Sequence, residues 1–154
     1  MGFGLPAAIG AALANPGRRV LCFSGDGSLQ MNIQELATLA ETDLPVTLLV
    51  LNNGHLGLVR QQQEMFYGKN YIASKFEVDL DFASIGRQFG VSGYRVGLGE
   101  PVTRALSAAL AVCGPSIIDV PIHHRENVLP MVPPGCANRD MIGMKELPEA
   151  FGGA

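Results

Sequence analysis

The sequence has few of the features that mark secreted or membrane proteins. Its 154 residues include only three cysteines, Cys22, Cys113 and Cys136. They are widely separated and odd in number, so they are typical of reduced thiols and argue against a disulfide framework. No apolar run approaches the roughly 18 residues of a membrane-spanning helix, and no charged leader precedes a signal-like segment. We therefore expect a cytoplasmic protein without a membrane partner.

Basic patches and common catalytic motifs are also missing. The formal net charge is −3 and no run of lysine or arginine occurs, which argues against a nucleic-acid partner. We find no Walker lysine, no Ser-His-Asp order and no His/Cys metal spacing. His123 and His124 lack a carboxylate or nucleophile at a suitable spacing, so we expect surface histidines. The 47% hydrophobic and 16% charged composition is typical of one soluble globular domain.

Apolar runs alternate with helical patterns along the chain, joined by short links. This order predicts an α/β domain with a parallel sheet and helices on both faces. We expect the domain to occupy residues 1–123 and an irregular, proline-containing tail to occupy 124–154. No strand precedes the first helix, so the domain looks truncated at its amino end. The predicted strands are 19–24, 45–51, 93–96 and 116–122, and the predicted helices are 5–13, 33–41 (with Asn32 and Glu35 as a capping pair), 56–66, 81–89 (capped by Asp81) and 99–112.

Polar residues follow the first two predicted strands at the point where each ends. A glycine turn containing Asp26 follows the first strand, and an asparagine pair ending in Asn53 follows the second. In a right-handed parallel unit these ends lie side by side at the carboxyl edge of the sheet. The Asp26 carboxylate, the Asn53 side-chain oxygen and the His55 backbone carbonyl are oxygen ligands suited to Mg²⁺. Since the amides of Gly27 and Ser28 would hold diphosphate oxygens in a nest-like turn, the sequence predicts a metal–diphosphate site.

These motifs resemble the thiamine diphosphate-binding motif of a known enzyme family. The wider sequence is similar to the carboxyl-terminal domain of the acetolactate synthase (acetohydroxyacid synthase) large subunit, from Met1 to about Gly143. The segments that carry the resemblance are Gly25-Asp26-Gly27 through Asn52-Asn53, Met1-Gly2-Phe3-Gly4-Leu5-Pro6-Ala7-Ala8-Ile9-Gly10, Gln61-Gln62-Gln63-Glu64-Met65-Phe66-Tyr67 and Met131-Val132-Pro133-Pro134-Gly135.

The resemblance implies thiamine diphosphate as the cofactor, held through Mg²⁺ by Asp26, Asn53 and the His55 carbonyl. The backbone of Met1 would bond the aminopyrimidine ring of the cofactor. The implied reaction condenses two pyruvates, or pyruvate and 2-oxobutyrate, with loss of CO₂, to 2-acetolactate or its homologue in branched-chain amino acid biosynthesis. The full set of implied cofactor contacts is Met1, Gly25, Asp26, Gly27, Ser28, Asn53, His55, Leu56 and Gly57.

Gln62 departs from the family pattern, because many members carry tryptophan at this position beside the second 2-oxo acid. The more open, polar wall predicts a weak preference for 2-oxobutyrate. In the resembled family the activating glutamate lies in the amino-terminal domain of a neighbouring subunit, and FAD binds a middle domain. Neither domain is part of this sequence, so we assign no catalytic residue here and expect the isolated chain to be inactive. A homo-oligomer with a regulatory small subunit is implied for the full-length enzyme.

Three alternatives remain open at this point. The metal motif is shared with other thiamine diphosphate enzymes, including 2-oxo acid decarboxylases, oxidases and glyoxylate carboligase. Gly2-x-Gly4-x-x-Ala7 imitates a dinucleotide-binding fingerprint, but that fingerprint requires a preceding strand that this sequence lacks. A non-catalytic remnant of an enzyme would show the same residues. Binding experiments separate these classes: a thiamine diphosphate enzyme should bind that cofactor with Mg²⁺, a dinucleotide-binding protein should bind NAD, and a remnant should bind neither.

Overall fold

A computed structural model describes residues 1–97 and 99–143, and its centre is a four-stranded parallel sheet. The strands are β1 (Val20–Gly25), β2 (Val46–Asn52), β3 (Ser92–Arg95) and β4 (Ser116–Pro121), in the order β1-β2-β4-β3. The central strands β2 and β4 are buried almost throughout, which explains why both read as continuous apolar runs. The predicted α/β class with a parallel sheet is confirmed.

Six α-helices and one short 3₁₀ helix accompany the sheet in the described residues. One of them, a five-residue helix directly after β1, occupies the segment that the sequence analysis treated as a glycine turn. None of the helices is both long enough and apolar enough to cross a membrane. The helices are α1 (Gly4–Ala14), α2 (Asp26–Gln30), α3 (Glu35–Glu41), α4 (Gly57–Phe66), α5 (Phe82–Gln88) and α6 (Val102–Ala111), and the 3₁₀ helix is Asn138–Asp140.

The two faces of the sheet are covered unequally. The larger core lies on one face, where apolar side chains of α1, α2, α3 and α5 pack against alternate residues of β1, β2 and β4. On the other face, Ala109 of α6 packs with residues of β2 and β4 in a smaller cluster. Leu21 and Phe23 of the edge strand β1 point to this second face and are 48% and 66% exposed. Helices therefore lie on both faces, but in the described residues β1 is covered on one face only.

The two helix caps predicted from the sequence have different outcomes. Asp81 caps α5 as predicted, because its carboxylate accepts the Ser84 amide at 2.8 Å. The predicted cap by Asn32 and Glu35 is wrong: Gln34 immediately precedes α3 and makes no side-chain cap. The backbone runs in helical turns from α2 into α3, and Gln34 itself is helical, so no extended residue is available to act as an N-cap.

The tail beyond β4 is irregular up to residue 143. It contains the short 3₁₀ helix and an isolated antiparallel bridge between Met131 and Ile142. The remainder of the predicted tail, residues 144–154, lies outside the described residues. The division at residue 123 stays a prediction.

Candidate functional site

Asp26 lies at the carboxyl edge of the sheet, at the first position of α2. Parallel pairing sets Gly25 opposite Leu51, which brings the residues after β1 beside those after β2. The Asp26 side chain reaches across this junction, and its Oδ2 accepts the Gly54 amide at 2.7 Å. Its Oδ1 accepts the amide of Gly27 at 2.8 Å. The two strand ends that the sequence predicted to meet are therefore joined through the Asp26 carboxylate.

The loop that follows β2 is held in a fixed shape by its own contacts. The Asn53 side-chain oxygen accepts the His55 amide at 3.0 Å, and the His55 ring nitrogen Nδ1 lies 2.9 Å from the Asn53 carbonyl. Gly54 has a φ of +65°, a conformation that glycine adopts without strain. The 74–76 segment pairs with this loop, since Phe76 donates to the Gly54 carbonyl at 2.9 Å. This pairing and the Asp26 carboxylate fix the loop from two sides.

The Asp26 carboxylate is buried and has no positive partner in the part of the chain that the structure describes. Only 3% of the residue is exposed, and no lysine, arginine or histidine of the described residues forms an ion pair with it. Removal from water raises the pKa of Asp26, although hydrogen bonds from the amides of Gly27 and Gly54 act in the opposite direction. Buried charges in proteins are normally paired or bind metals. The electrostatics of this site therefore favour an added cation.

The donor atoms at this junction have the chemistry that Mg²⁺ requires. They comprise one carboxylate, the side-chain oxygen of Asn53 and the carbonyl of His55, which accepts no hydrogen bond from the described residues. All are hard oxygen donors, and Mg²⁺ completes its shell with water and phosphate oxygens. No group of three or more His, Cys, Asp or Glu side chains is placed to hold a metal in the described part of the chain. A transition-metal centre is thus not indicated here, whereas the residues present fit Mg²⁺.

Glycines allow the segments at this junction to approach one another closely. A Cβ on Gly27 would lie 2.7 Å from the Leu56 side chain, and one on Gly57 would lie 2.8 Å from the Asn53 amide nitrogen. The amide of Gly2 donates to the Ser28 hydroxyl at 2.9 Å, so the start of the chain lies against α2. The structure thus gathers the predicted cofactor contacts, Met1, Gly25, Asp26, Gly27, Ser28, Asn53, His55, Leu56 and Gly57, around the ends of β1 and β2.

Gln62 lies on α4, and its side chain is exposed. With Val59, Tyr67 and Ile72 it lines a shallow groove of about 270 Å³. A larger open cavity of about 760 Å³ adjoins the loop after β2 and includes Asn53 in its lining. Gln62 is therefore accessible from outside, as the predicted role beside a substrate requires.

The neighbour of Gln62 behaves differently, and the sequence did not reveal this. Gln61 is only 1% exposed, and its amide makes two hydrogen bonds of 2.8 Å with the backbone of Val128, one with the N–H and one with the C=O. Arg60 donates to the His124 carbonyl at 2.7 Å and forms an ion pair with Glu64 at 2.8 Å. The helix α4 is thus fastened to the tail. Gln61 is therefore part of this contact and does not lie on a solvated face of the helix.

The histidines near the tail form a small stack. The rings of His55 and His124 are stacked with centroids 5.0 Å apart, and His123 lies 4.5 Å from His124. Partial desolvation and the neighbouring cationic groups lower the pKa of His124. His123 is exposed as predicted, whereas His124 is half-buried. No spacing signal in the sequence indicates this stack.

Comparison with known proteins agrees with the geometry. Residues 1–120 match the family model described as the thiamine pyrophosphate enzyme C-terminal TPP binding domain. The chain is 50% identical over 143 residues to the large subunit of acetolactate synthase isozyme 1 of Escherichia coli (strain K12), covering 93% of this chain and 25% of that protein. It is 48% identical over 150 residues to the acetolactate synthase large subunit of Parasynechococcus marenigrum (strain WH8102), covering 97% and 24%.

A plant protein gives the same result. The chain is 47% identical over 151 residues to a probable acetolactate synthase 2, chloroplastic, of Oryza sativa subsp. japonica, covering 92% of this chain and 23% of that protein. The chain thus spans about a quarter of the length of the curated relatives it matches, and the resemblance to acetolactate synthase large subunits is confirmed. By its match over residues 1–120, the chain belongs to the thiamine pyrophosphate enzymes and contains their C-terminal TPP-binding domain.

Proposed function

We propose that this chain is the cofactor-binding part of an acetolactate synthase large subunit and binds thiamine diphosphate through Mg²⁺. The observation that supports this most is the buried Asp26 carboxylate, which has no cationic partner among the described residues. Asp26, Asn53 and the His55 carbonyl would hold the ion. The amides of Gly27 and Ser28 would hold diphosphate oxygens, and Gly27 would then exchange its hydrogen bond to Asp26 Oδ1 for one to the diphosphate.

The residues around the ion determine how the cofactor is held. Met1 would contact the aminopyrimidine, and Leu56 and Gly57 would border the cofactor at the start of α4. When bound, thiamine diphosphate supplies the electron sink that decarboxylation of a 2-oxo acid needs. This chain then orients the cofactor, and Gln62 contributes to the wall for the second 2-oxo acid.

Substrate choice follows from Gln62 in this proposal. A polar, exposed side chain gives the second 2-oxo acid no apolar surface, so pyruvate and 2-oxobutyrate are accepted with little bias and acetolactate dominates. In the full-length polypeptide, Gln62→Trp should raise the preference for 2-oxobutyrate by roughly 10-fold, since one methylene in an apolar pocket is worth about that much. A competition assay with both acids measures the ratio. A strong 2-oxobutyrate bias before substitution contradicts the proposal.

The remaining parts of the activity lie in the longer protein. We propose that the activating glutamate and an FAD-binding domain belong to its other domains, that it forms a homo-oligomer with a regulatory small subunit, and that it works in the cytoplasm. The isolated chain should be inactive with pyruvate, because the carboxylate that activates the cofactor is not in it. Acetolactate formed from pyruvate by this chain alone would contradict that expectation.

Calorimetry on the chain tests the cofactor assignment directly. Thiamine diphosphate should bind weakly in the presence of Mg²⁺ and bind far less when EDTA removes the ion, because only the diphosphate half of the site is present. NAD should not bind. Binding of NAD, or binding of thiamine diphosphate that ignores Mg²⁺, would overturn the proposal.

A further inference from the structure

A second buried carboxylate lies near the proposed site but takes no part in it. Asp119 is in the middle of β4 and is fully buried, with 0% of its surface exposed. It points to the face of the sheet that α5 covers, where its two oxygens accept hydrogen bonds from different elements. Oδ1 accepts the Asn52 side-chain amide at 3.1 Å, and Oδ2 accepts the backbone amide of Phe82 at 3.2 Å. Arg95 of β3 lies 3.8 Å from the carboxylate.

Asn52 connects this carboxylate to residues 53–55, which contain the proposed ligands after β2 and are called the metal loop below. Its side-chain nitrogen donates to Asp119 and also to the Leu80 carbonyl at 3.1 Å, so both of its hydrogens are used. The backbone carbonyl of Asn52 accepts a hydrogen bond from the Ile122 amide at 2.9 Å. Asn52 is the last residue of β2, and Asn53, the proposed ligand, follows it directly. The point from which the metal loop starts is therefore fixed by side-chain bonds as well as by the strand ladder.

We propose that Asp119 is a positioning residue for the metal loop and acts through Asn52. By holding the Asn52 amide, it sets the place and direction in which Asn53 and the His55 carbonyl leave β2. The inference rests on the proposed function, since it assigns Asp119 a role toward the Mg²⁺ held there. Groups that orient metal ligands typically change metal affinity by about 10–100-fold when they are mutated.

The chemistry of the pair explains why a carboxylate is needed at position 119. A carboxylate offers acceptors toward both Asn52 and Phe82, whereas an asparagine offers one acceptor and two donors. In Asp119→Asn the amide nitrogen replaces one of the two oxygens. In place of Oδ2 it would face two donors, the Phe82 N–H and the Arg95 guanidinium, so it should take the place of Oδ1, where it faces the Asn52 side-chain nitrogen and the hydrogen bond that orients Asn52 is lost. Asn52→Ala removes the same bond from the other side, together with the bond to the Leu80 carbonyl, and leaves the bond between Asp119 and Phe82 in place. The two variants should therefore have similar effects on the loop.

Asp81→Ala is the matched control. Asp81 caps α5, the helix that receives the second oxygen of Asp119, and it lies 3.6 Å from the same Arg95. It makes no hydrogen bond to Asn52. Its removal should lower the melting temperature without changing the metal loop. A general loss of stability near α5 is thereby separated from an effect transmitted through Asn52.

Two measurements on the chain test the inference. The first is amide hydrogen exchange of the 53–55 loop without ligand, where the Gly54 N–H is normally bonded to Asp26. The second is calorimetry of thiamine diphosphate at a series of Mg²⁺ concentrations. We expect Asp119→Asn and Asn52→Ala to speed the exchange of Gly54 by about 10-fold or more and to weaken Mg²⁺-dependent binding by about 10–100-fold. The double variant should lose no more than the worse single variant, because both act through one bond.

The possible failures are distinguishable. If Asp119→Asn matches Asp81→Ala in both exchange and Mg²⁺ dependence, Asp119 is only structural and the inference is overturned. Additive losses in the double variant would also overturn it. If the unmodified chain shows no Mg²⁺-dependent binding, the proposed function fails instead. The exchange measurement still decides whether Asp119 positions the loop, because it needs no ligand.

Discussion

Two carboxylates of the sheet region, Asp26 directly after β1 and Asp119 within β4, are both buried, but their surroundings differ. Among the described residues, Asp26, after β1, accepts hydrogen bonds only from backbone amides, including those of Gly27 and Gly54. Asp119, in β4, is bonded to a side-chain amide and a helix amide and lies near the Arg95 guanidinium. Burial raises the pKa of both groups, and within residues 1–97 and 99–143 only Asp119 has a positive group, Arg95, close by to oppose that effect.

The difference separates a proposed binding site from an architectural contact. The charge on Asp119 is compensated within the chain, so this carboxylate can join β2, β4, β3 and α5 without any ligand. No cationic side chain of the described residues compensates the charge on Asp26, which is why we propose a bound ion there. Burial alone is therefore a poor indicator of function. The sign and origin of the neighbouring charges indicate whether a buried carboxylate is structural or a candidate binding group.

The largest expected effect comes from removing the internally compensated carboxylate. Asp119→Ala should lower the free energy of unfolding by about 3–5 kcal/mol, because it removes the buried acceptor of both the Asn52 side-chain amide and the Phe82 N–H. Urea unfolding followed by circular dichroism measures this loss. Asp26→Ala serves as the comparison. It leaves the amides of Gly27 and Gly54 without their acceptor at a more open junction, so the loss of stability should be smaller. Equal losses would remove the distinction between the two carboxylates.

The sequence allowed only one of these two carboxylates to be predicted. Asp26 is flanked by glycines at a strand end, and the parallel connection predicts where that end lies. Asp119 interrupts an apolar strand, and its partner Asn52 is 67 residues away, so no local pattern indicates the contact. Its role depends on the strand order β1-β2-β4-β3, which was not predicted. The existence of the sheet follows from periodicity, whereas its pairing arises from contacts distant in sequence.

The next effect should appear in binding and not in folding. Asp26→Asn should weaken Mg²⁺-dependent binding of thiamine diphosphate by about 100-fold or more, which is at least about 2.7 kcal/mol, because a direct ligand loses its charge. Stability should change by about 1 kcal/mol or less, since one lost hydrogen bond opposes the relieved desolvation of the charge. Calorimetry and urea unfolding of the same variant measure the two quantities.

The pH dependence of Asp26 gives this prediction a second readout. Because the folded pKa of Asp26 is raised, the native chain binds more protons than the unfolded chain between the ordinary value of 3.8 and the folded value. The contribution of Asp26 to stability therefore falls as pH rises through that window, and Asp26→Asn should abolish this slope. Unchanged Mg²⁺ dependence in the variant would show that Asp26 is not a ligand.

The region around α4 shows where local sequence patterns were insufficient. Three consecutive glutamines follow Arg60, and no pattern distinguishes them. In the structure Gln61 is buried against the tail, Gln62 is exposed, and Gln63 donates to the Ile72 carbonyl at 2.8 Å. Whether each glutamine is buried or exposed depends on which side of α4 the tail covers. The tail itself shows no periodicity, so its docking on α4 could not be predicted.

A smaller effect is expected from adding one methyl group beside the proposed ligand. In Gly57→Ala the new Cβ would lie 2.8 Å from the Asn53 amide nitrogen and would displace that side chain. Mg²⁺-dependent binding should therefore weaken by about 10-fold. Gly10→Ala is the matched control, because its Cβ would enter open space on α1. Weakened binding in both variants would contradict the steric explanation.

The smallest expected effect on stability comes from Asp81, which is neither buried nor one of the proposed metal ligands. Asp81→Ala should cost about 1 kcal/mol through loss of the α5 cap. Burial alone would raise the pKa of Asp81, but hydrogen bonds from the Ser84 amide and hydroxyl, with Arg95 nearby, lower it below its ordinary value of 3.8. The stabilisation from the charge is therefore complete above the unfolded pKa and is lost as pH falls through the folded one.

Unfolding in urea at about pH 7 and about pH 3 measures this change in stability. The difference between the unmodified chain and Asp81→Ala should shrink on acidification. Asp81→Asn supplies the control, because asparagine caps a helix about as well as aspartate and does not titrate. The difference between the two variants should thus stay constant with pH. A pH-dependent difference between them would mean that another group, such as Asp119 acting through the shared Arg95, titrates in response to the substitution.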